Sequence, residues 1–189
     1  MKVRQSGMPD EILWNNYFDI PLILKKLEIN SKVNDIAEIG CGYGTYSIPA
    51  GNEISGRLFA YDIEKEMIDR LNEKISSEGI KNIIAEQRDI LENGTGLNDN
   101  STDYVMLFNI LHHETPTELF HEAYRILRQN GKIGIIHWRS DILTPRGPDL
   151  NIRPTPEKLL QLFNKTMFSV HKPPFVIEPF HYGLILSKN

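Results

Sequence analysis

The 189-residue chain has one cysteine, Cys41, which excludes an internal disulfide and any metal site built from several thiolates. It has no apolar run approaching the roughly 20 residues that span a bilayer. The opening residues MKVRQSGMPDEILW hold two basic side chains with no apolar stretch behind them, so no leader peptide is expected and the expected location is cytoplasmic. A basic surplus is also missing. With 21 Lys and Arg against 25 Asp and Glu the formal net charge is −4, which argues against a nucleic-acid partner. Repeats, low-complexity tracts and long linkers are absent as well. What remains is a chain with 40% hydrophobic residues, enough to bury one full core, and a single domain is expected.

Apolar segments alternate with helical ones. Ile36 to Ile39, Leu58 to Tyr61, Ile83 to Ala85, Tyr104 to Phe108 and Ile133 to His137 read as short buried strands. Between them, Met67, Leu71 and Ile75 recur every four residues in a helix from Glu64 to Glu78 that Gly79 ends. Thr115-Pro116-Thr117-Glu118 predicts a capping box opening a helix that runs to Arg128 and stops at Asn130-Gly131. Strand-helix alternation requires crossover connections and hence a mostly parallel sheet covered on both faces. The end of the chain differs. After a helix from about Glu157 to Thr166, the strands Phe175 to Glu178 and Tyr182 to Ser187 are separated by three residues, which permits a hairpin but no crossover. The fold expected is α/β: a doubly wound, Rossmann-like three-layer sandwich on a seven-stranded sheet with an antiparallel C-terminal hairpin.

The stretch DIAEIGCGYGTYSIPAG places Gly40, Gly42 and Gly44 where the first strand turns into a helix. In an open parallel sheet that is where ligands bind, and glycine there permits a tight turn and close approach to main-chain N–H groups. The alternative is a tight turn that binds nothing. A dinucleotide fingerprint is G-x-G-x-x-G/A; here the spacing is G-x-G-x-G, and Thr45 occupies the place of the last small residue. Glu38, two residues ahead of Gly40, would repel a pyrophosphate but suits a cationic amino group.

Glu38-Ile39-Gly40-Cys41-Gly42-Tyr43-Gly44 resembles motif I, [DE]-x-G-x-G-x-G, of the class I S-adenosylmethionine-dependent methyltransferases. FAYDIEKEMI resembles the end of that family's second strand, EQRDILE the turn after its third, STDYVMLFNILHH its fourth strand and exit, and AYRILRQNGKIGIIHW the helix and fifth strand that close its core. The likeness covers Val33 to about Trp138, and LFNILHH is most similar to the branch containing ubiquinone/menaquinone C-methyltransferases. The resemblance implies S-adenosylmethionine as cofactor, S-adenosylhomocysteine as product and a small-molecule acceptor. It also implies a donor site of Glu38, Gly40, Gly42, Gly44, Asp62, Ile63, Asp89, Ile90 and Asn109. In it Asp62 would bind the ribose hydroxyls, Asp89 the adenine amino group, Ile90 the base, and Asn109 the methionine part. Read from position alone, Asp62 suits a ribose diol or the N-cap of the next helix, and Asp89 could equally be a solvated loop acid.

Methyl transfer from a sulfonium is an in-line displacement that needs alignment and exclusion of water, and at times a base; no triad and no metal are required. His112, His137 and Tyr17 are the catalytic candidates, each with a bland reading as a packed or backbone-satisfied residue. His112-His113-Glu114 lacks the H-E-x-x-H spacing of a zinc site, and no metal is expected. Trp14, Tyr17, Phe18 and Ile20/Leu24 stand at near-helical spacing and form either a helix packed on the core or a lid with Trp14 at the acceptor. The long proline-rich loop after the fifth strand carries Arg139, Arg146 and Arg153; Arg146 or Arg153 would grip an anionic acceptor, or the charges are solvated. The expected layout is a helical lid over 1–30, a donor-binding core over 31–138, an acceptor-side loop over 139–156, and a helix with the hairpin over 157–189. The competing functions are a donor-binding module without turnover and a nicotinamide-dependent oxidoreductase.

Overall fold

The computed structural model describes residues 11–163 and 165–189; the part of the expected lid over 1–10 lies outside them. Seven strands form one sheet: β1 (Ile36–Ile39), β2 (Leu58–Asp62), β3 (Ile83–Gln87), β4 (Thr102–Phe108), β5 (Leu127–Trp138), β6 (Phe168–Ile177) and β7 (His181–Lys188). Their order is β3-β2-β1-β4-β5-β7-β6. The pairs among β1 to β5 are parallel, and β7 is antiparallel to both β5 and β6. Strand order reverses between β1 and β4, so the chain leaves those two strands on either side of a crevice.

Both faces of the sheet are apolar because successive side chains alternate sides. On β4, Tyr104, Met106 and Phe108 join one core while Val105 and Leu107 join the other. The first core is closed by α2 (Ile20–Lys26), α3 (Ser47–Glu53) and α4 (Lys65–Ser77), through Ile23, Leu24, Ala50, Ile68 and Leu71. The second is closed by α6 (Pro116–Ile126) and α7 (Pro156–Leu162), through Leu119, Phe120, Ala123 and Leu159. The remaining helices are short: α1 (Glu11–Asn15) and α5 (Ile90–Asn93). The three layers, the seven strands and the antiparallel end are those the sequence predicts.

Several local expectations differ. The aromatic run near the N-terminus is two helices rather than one, because Asp19 caps α2 by accepting from the N–H of Leu22 and Pro21 sits in its first turn. Thr115 is the N-cap of α6, but its side chain makes no capping bond; the Nδ1 of His113 accepts the Thr115 N–H instead. Strand β5 starts at Leu127, with Asn130 in a left-handed conformation at φ 62°. Strand β6 begins at Phe168, seven residues before the expected start, and register shifts on either side of Lys172 conceal its alternation. Helix α7 closes at Leu162. Among the described residues no helix is long and apolar enough to cross a membrane.

Candidate functional site

Gly40, Gly42 and Gly44 all have positive φ, at 79°, 53° and 79°, but the turn uses them differently. A Cβ on Gly40 would come within 2.7 Å of Ile110 Cγ2, so that glycine lets the exit of β4 close on the turn. A Cβ on Gly44 would lie 2.4 Å from Leu71 Cδ1, so this glycine lets α4 pack and does not touch the cavity. The expected approach to bare N–H groups is not available here. Gly40 N and Cys41 N both donate to the Tyr61 carbonyl, Gly44 N to the Cys41 carbonyl, and Gly42 N to Asp62 Oδ2. A pyrophosphate anchored at such a turn relies on free N–H groups, so this arrangement disfavours a dinucleotide.

Asp62, at the end of β2, is 8% exposed. Its Oδ2 accepts from Gly42 N at 2.8 Å and its Oδ1 from Glu64 N at 2.9 Å. Burial raises its carboxyl above the ordinary value, opposed by those two bonds. Each oxygen keeps a second acceptor lobe, so locking the turn and receiving a diol are compatible. The N-cap of α4 is Glu64, not Asp62. Asp89 caps α5, its Oδ1 accepting from the N–H groups of Leu91 and Glu92. Ile63 and Ile90 follow these two acids directly. All four residues line one cavity of about 590 Å³ together with Gly40, Cys41, Gly42 and Asn109.

Glu38 lies behind the turn rather than in the cavity wall. It is 1% exposed and accepts a 2.5 Å bond from Ser47 Oγ. Burial pushes its carboxyl up to about 8, and the Asp62 charge adds to the effect. Asn109 ends β4 in a left-handed conformation, φ 58°, with its N–H donating to the Ile136 carbonyl. Its buried amide has no partner on either Nδ2 or Oδ1, an uncompensated arrangement that suits a polar ligand.

An aromatic group of Trp14, Tyr46, Phe108 and Trp138 also lines the cavity, and His112, Leu119, Arg146 and Ile152 are in its wall as well. Helix α1 is held over the turn by the Lys74–Glu11 ion pair and by Thr45 Oγ1 donating to Asn15 Oδ1 at 2.7 Å. Trp14 and Trp138 approach to 6.1 Å between ring centroids.

Three candidates fall elsewhere. Tyr17 lies outside the wall, edge-on to Trp138 and Phe180 at 5.8 and 6.0 Å. His137 is fully buried beneath His112, with ring centroids 5.5 Å apart; burial, then the His112 charge, lowers it to about 3. A histidine so buried stays neutral, and it is not part of the cavity wall. Arg153 is buried too, and its guanidinium donates to the carbonyls of Pro148, Arg139 and Arg146 at 2.7, 2.8 and 3.2 Å while standing over the Trp138 ring. It holds the loop in shape rather than gripping an anion. Arg146 alone of the two reaches the cavity.

Sequence reasoning missed Tyr46 and Trp138 as wall residues. Trp138 ends β5 beside His137 and faces the opposite way, a period-2 signal that was available. Tyr46 carried none, because residues in an irregular turn have no periodic face.

Residues 36–131 match the model of a methyltransferase domain. Demethylmenaquinone methyltransferase of Lactobacillus johnsonii is 29% identical over 117 residues, 59% of this chain and 46% of that protein. An uncharacterised protein of Methanocaldococcus jannaschii is 28% identical over 71% of this chain and 52% of its own length; the chain spans about half the length of these curated relatives. Among solved structures, a SAM-dependent methyltransferase from Aquifex aeolicus superposes with TM-score 0.83 at 20% identity, over 95% of this chain and 94% of that one. A candidate type 11 methyltransferase from Sulfolobus solfataricus reaches TM-score 0.70 at 26% identity, over 88% and 89%.

Proposed function

The chain belongs to the methyltransferase-domain family, and from that premise we propose that it transfers the methyl group of S-adenosylmethionine to a small-molecule acceptor. The observation that carries this reading is the convergence of the residues at the ends of four neighbouring strands on one cavity. Gly40 and Gly42 follow β1, Asp62 ends β2, Asp89 follows β3 and Asn109 follows β4. The residues fit that donor: Asp62 with a spare acceptor lobe on each oxygen for the hydroxyls, a second carboxylate, Asp89, in the wall, two isoleucines for a flat base, and the unpaired amide of Asn109.

When bound, the donor supplies a methyl group already activated by the positive charge on sulfur. The chain supplies alignment and dryness. Asp62 fixes the ribose while its own position is fixed by Gly42 and Glu64. Trp14, Phe108 and Trp138 exclude water from the far end, and α1 and the loop over 139–156 wall the acceptor's entrance. Arg146 stands in that wall, with no ion pair to it among the described residues, and suits an anionic group on the acceptor. His112, unlike His137, lines the cavity and is placed to touch an acceptor.

Calorimetry with S-adenosylmethionine, S-adenosylhomocysteine and NADH on one sample tests the reading. The two sulfur compounds are expected to bind and NADH not to. Binding of NADH with no response to S-adenosylhomocysteine would overturn it.

A further inference from the structure

Tyr46 is part of the cavity wall and 4% exposed, yet its buried hydroxyl has no hydrogen-bond partner. Leaving such a group unpaired is unfavourable and calls for a reason. The ring is fixed edge-on between Phe18 and Phe108, at 5.2 and 4.9 Å between centroids. Phe18 in turn meets Trp14 at 4.9 Å, and Trp14 meets Trp138 at 6.1 Å. Tyr46 therefore belongs to a continuous aromatic wall, apart from the Asp62 and Asp89 end where a nucleoside would sit. Burial holds its phenol well above the ordinary range, with the Glu38 charge acting the same way. It stays protonated and works as a hydrogen-bonding group, not as a base.

Arg146 contributes the other specific chemistry at this end. Arg88 also lines the cavity, but its guanidinium is bonded to Glu86 and to the Gly94 carbonyl. Arg146 is exposed at the wall, and its side chain makes no such bonds among the described residues. We infer that the acceptor is an aromatic hydroxy acid: its ring packs against Trp14, its anion meets Arg146, and its hydroxyl bonds to Tyr46. This rests on the methyltransferase reading and deepens it. Indoles are strong partners for a planar ring, the guanidinium fork suits a carboxylate, and a neutral phenol can donate to or accept from a hydroxyl.

The probes are 4-hydroxyphenylacetate, phenylacetate without the hydroxyl, 4-methylphenol without the anion, and cyclohexylacetate without the aromatic ring. Each is titrated into the protein saturated with S-adenosylhomocysteine. Binding is read by calorimetry and by absorbance-corrected fluorescence, since both tryptophans of the chain, Trp14 and Trp138, line the cavity. The hydroxy acid is expected to bind best. Tyr46→Phe should weaken it about three- to tenfold while leaving phenylacetate unchanged. It should also leave S-adenosylhomocysteine affinity within about twofold, and Tm equal or higher because an unpaired hydroxyl is removed. Arg146→Ala, at an exposed position, should weaken both aromatic acids and leave 4-methylphenol unaffected.

Failure of all four probes in a protein that binds S-adenosylhomocysteine overturns this inference alone. Failure to bind S-adenosylhomocysteine overturns the donor reading beneath it. Equal loss of both aromatic acids in Tyr46→Phe, a lowered Tm, or lost donor affinity would show the hydroxyl serving something other than the acceptor.

Discussion

Replacing Glu38 with glutamine should change how stability depends on pH. The carboxyl sits on β1 at 1% exposure, with Ser47 Oγ bonded to it and Asp62, Cys41 and Tyr46 as its titratable neighbours. Its folded value is about 8 against an ordinary 4.5. Below about pH 4.5 folded and unfolded chains both hold the proton, and the group has no effect. From there to pH 8 the folded chain keeps a proton that the unfolded chain has released. Stability then falls with rising pH by up to about 1.4 kcal/mol per unit. At pH 7 the accumulated loss is on the order of 3 kcal/mol, and above pH 8 it is constant. Glu38→Gln still accepts from Ser47 but does not titrate. Allowing about 1 kcal/mol for its extra buried N–H, the variant should gain about 2 kcal/mol at pH 7 and nothing at pH 5. Urea unfolding of both proteins at the two pH values, without ligand, measures this. Parallel stability curves from pH 5 to 8 would refute the argument.

Gly44→Ala forces a side chain into a left-handed position and against Leu71; a loss of about 2–4 kcal/mol is expected in denaturant unfolding, with S-adenosylhomocysteine affinity of the folded protein unchanged. Asp62→Asn should lower that affinity about ten- to hundredfold in calorimetry and also destabilise the fold by about 1–3 kcal/mol, because one backbone N–H of the turn then faces an amide N–H. Arg153→Lys offers a point charge where three carbonyls and an indole need a planar fork. Limited proteolysis should then cut faster within the loop over 139–153 while donor affinity stays the same.

The order of strands and helices was legible because each buried strand is a short apolar run and each connection carries its own helical period. The position of Asp62 and Asp89 was legible for the same reason: Asp62 ends a strand of the parallel half and Asp89 follows one closely, where side chains meet the crevice. Depth was not. Alternation puts Glu38 on the face of Ile36 but does not say whether it lines a cavity or lies under a turn. The roles of the loop arginines were hidden for a different reason. Arg146 and Arg153 have equal charge in a segment without periodicity, and only the closed path of the chain makes one a brace and the other a wall residue. The first half of β6 was concealed by Pro173, Pro174 and the register shifts beside Lys172.

The sheet order carries a consequence for how the molecule is made. Strand β7 lies between β5 and β6, both of which precede it in the chain. During synthesis, β6 emerges with no strand to pair with, and β5 has one open side, until residues 181–188 are available. The parallel half can pair as its strands arrive, but the antiparallel half closes only afterwards, through contacts 43 to 55 residues long in the case of β5. A ribosome paused before His181 would therefore hold a donor-side half with an exposed strand edge, the state most open to chaperones and to mispairing.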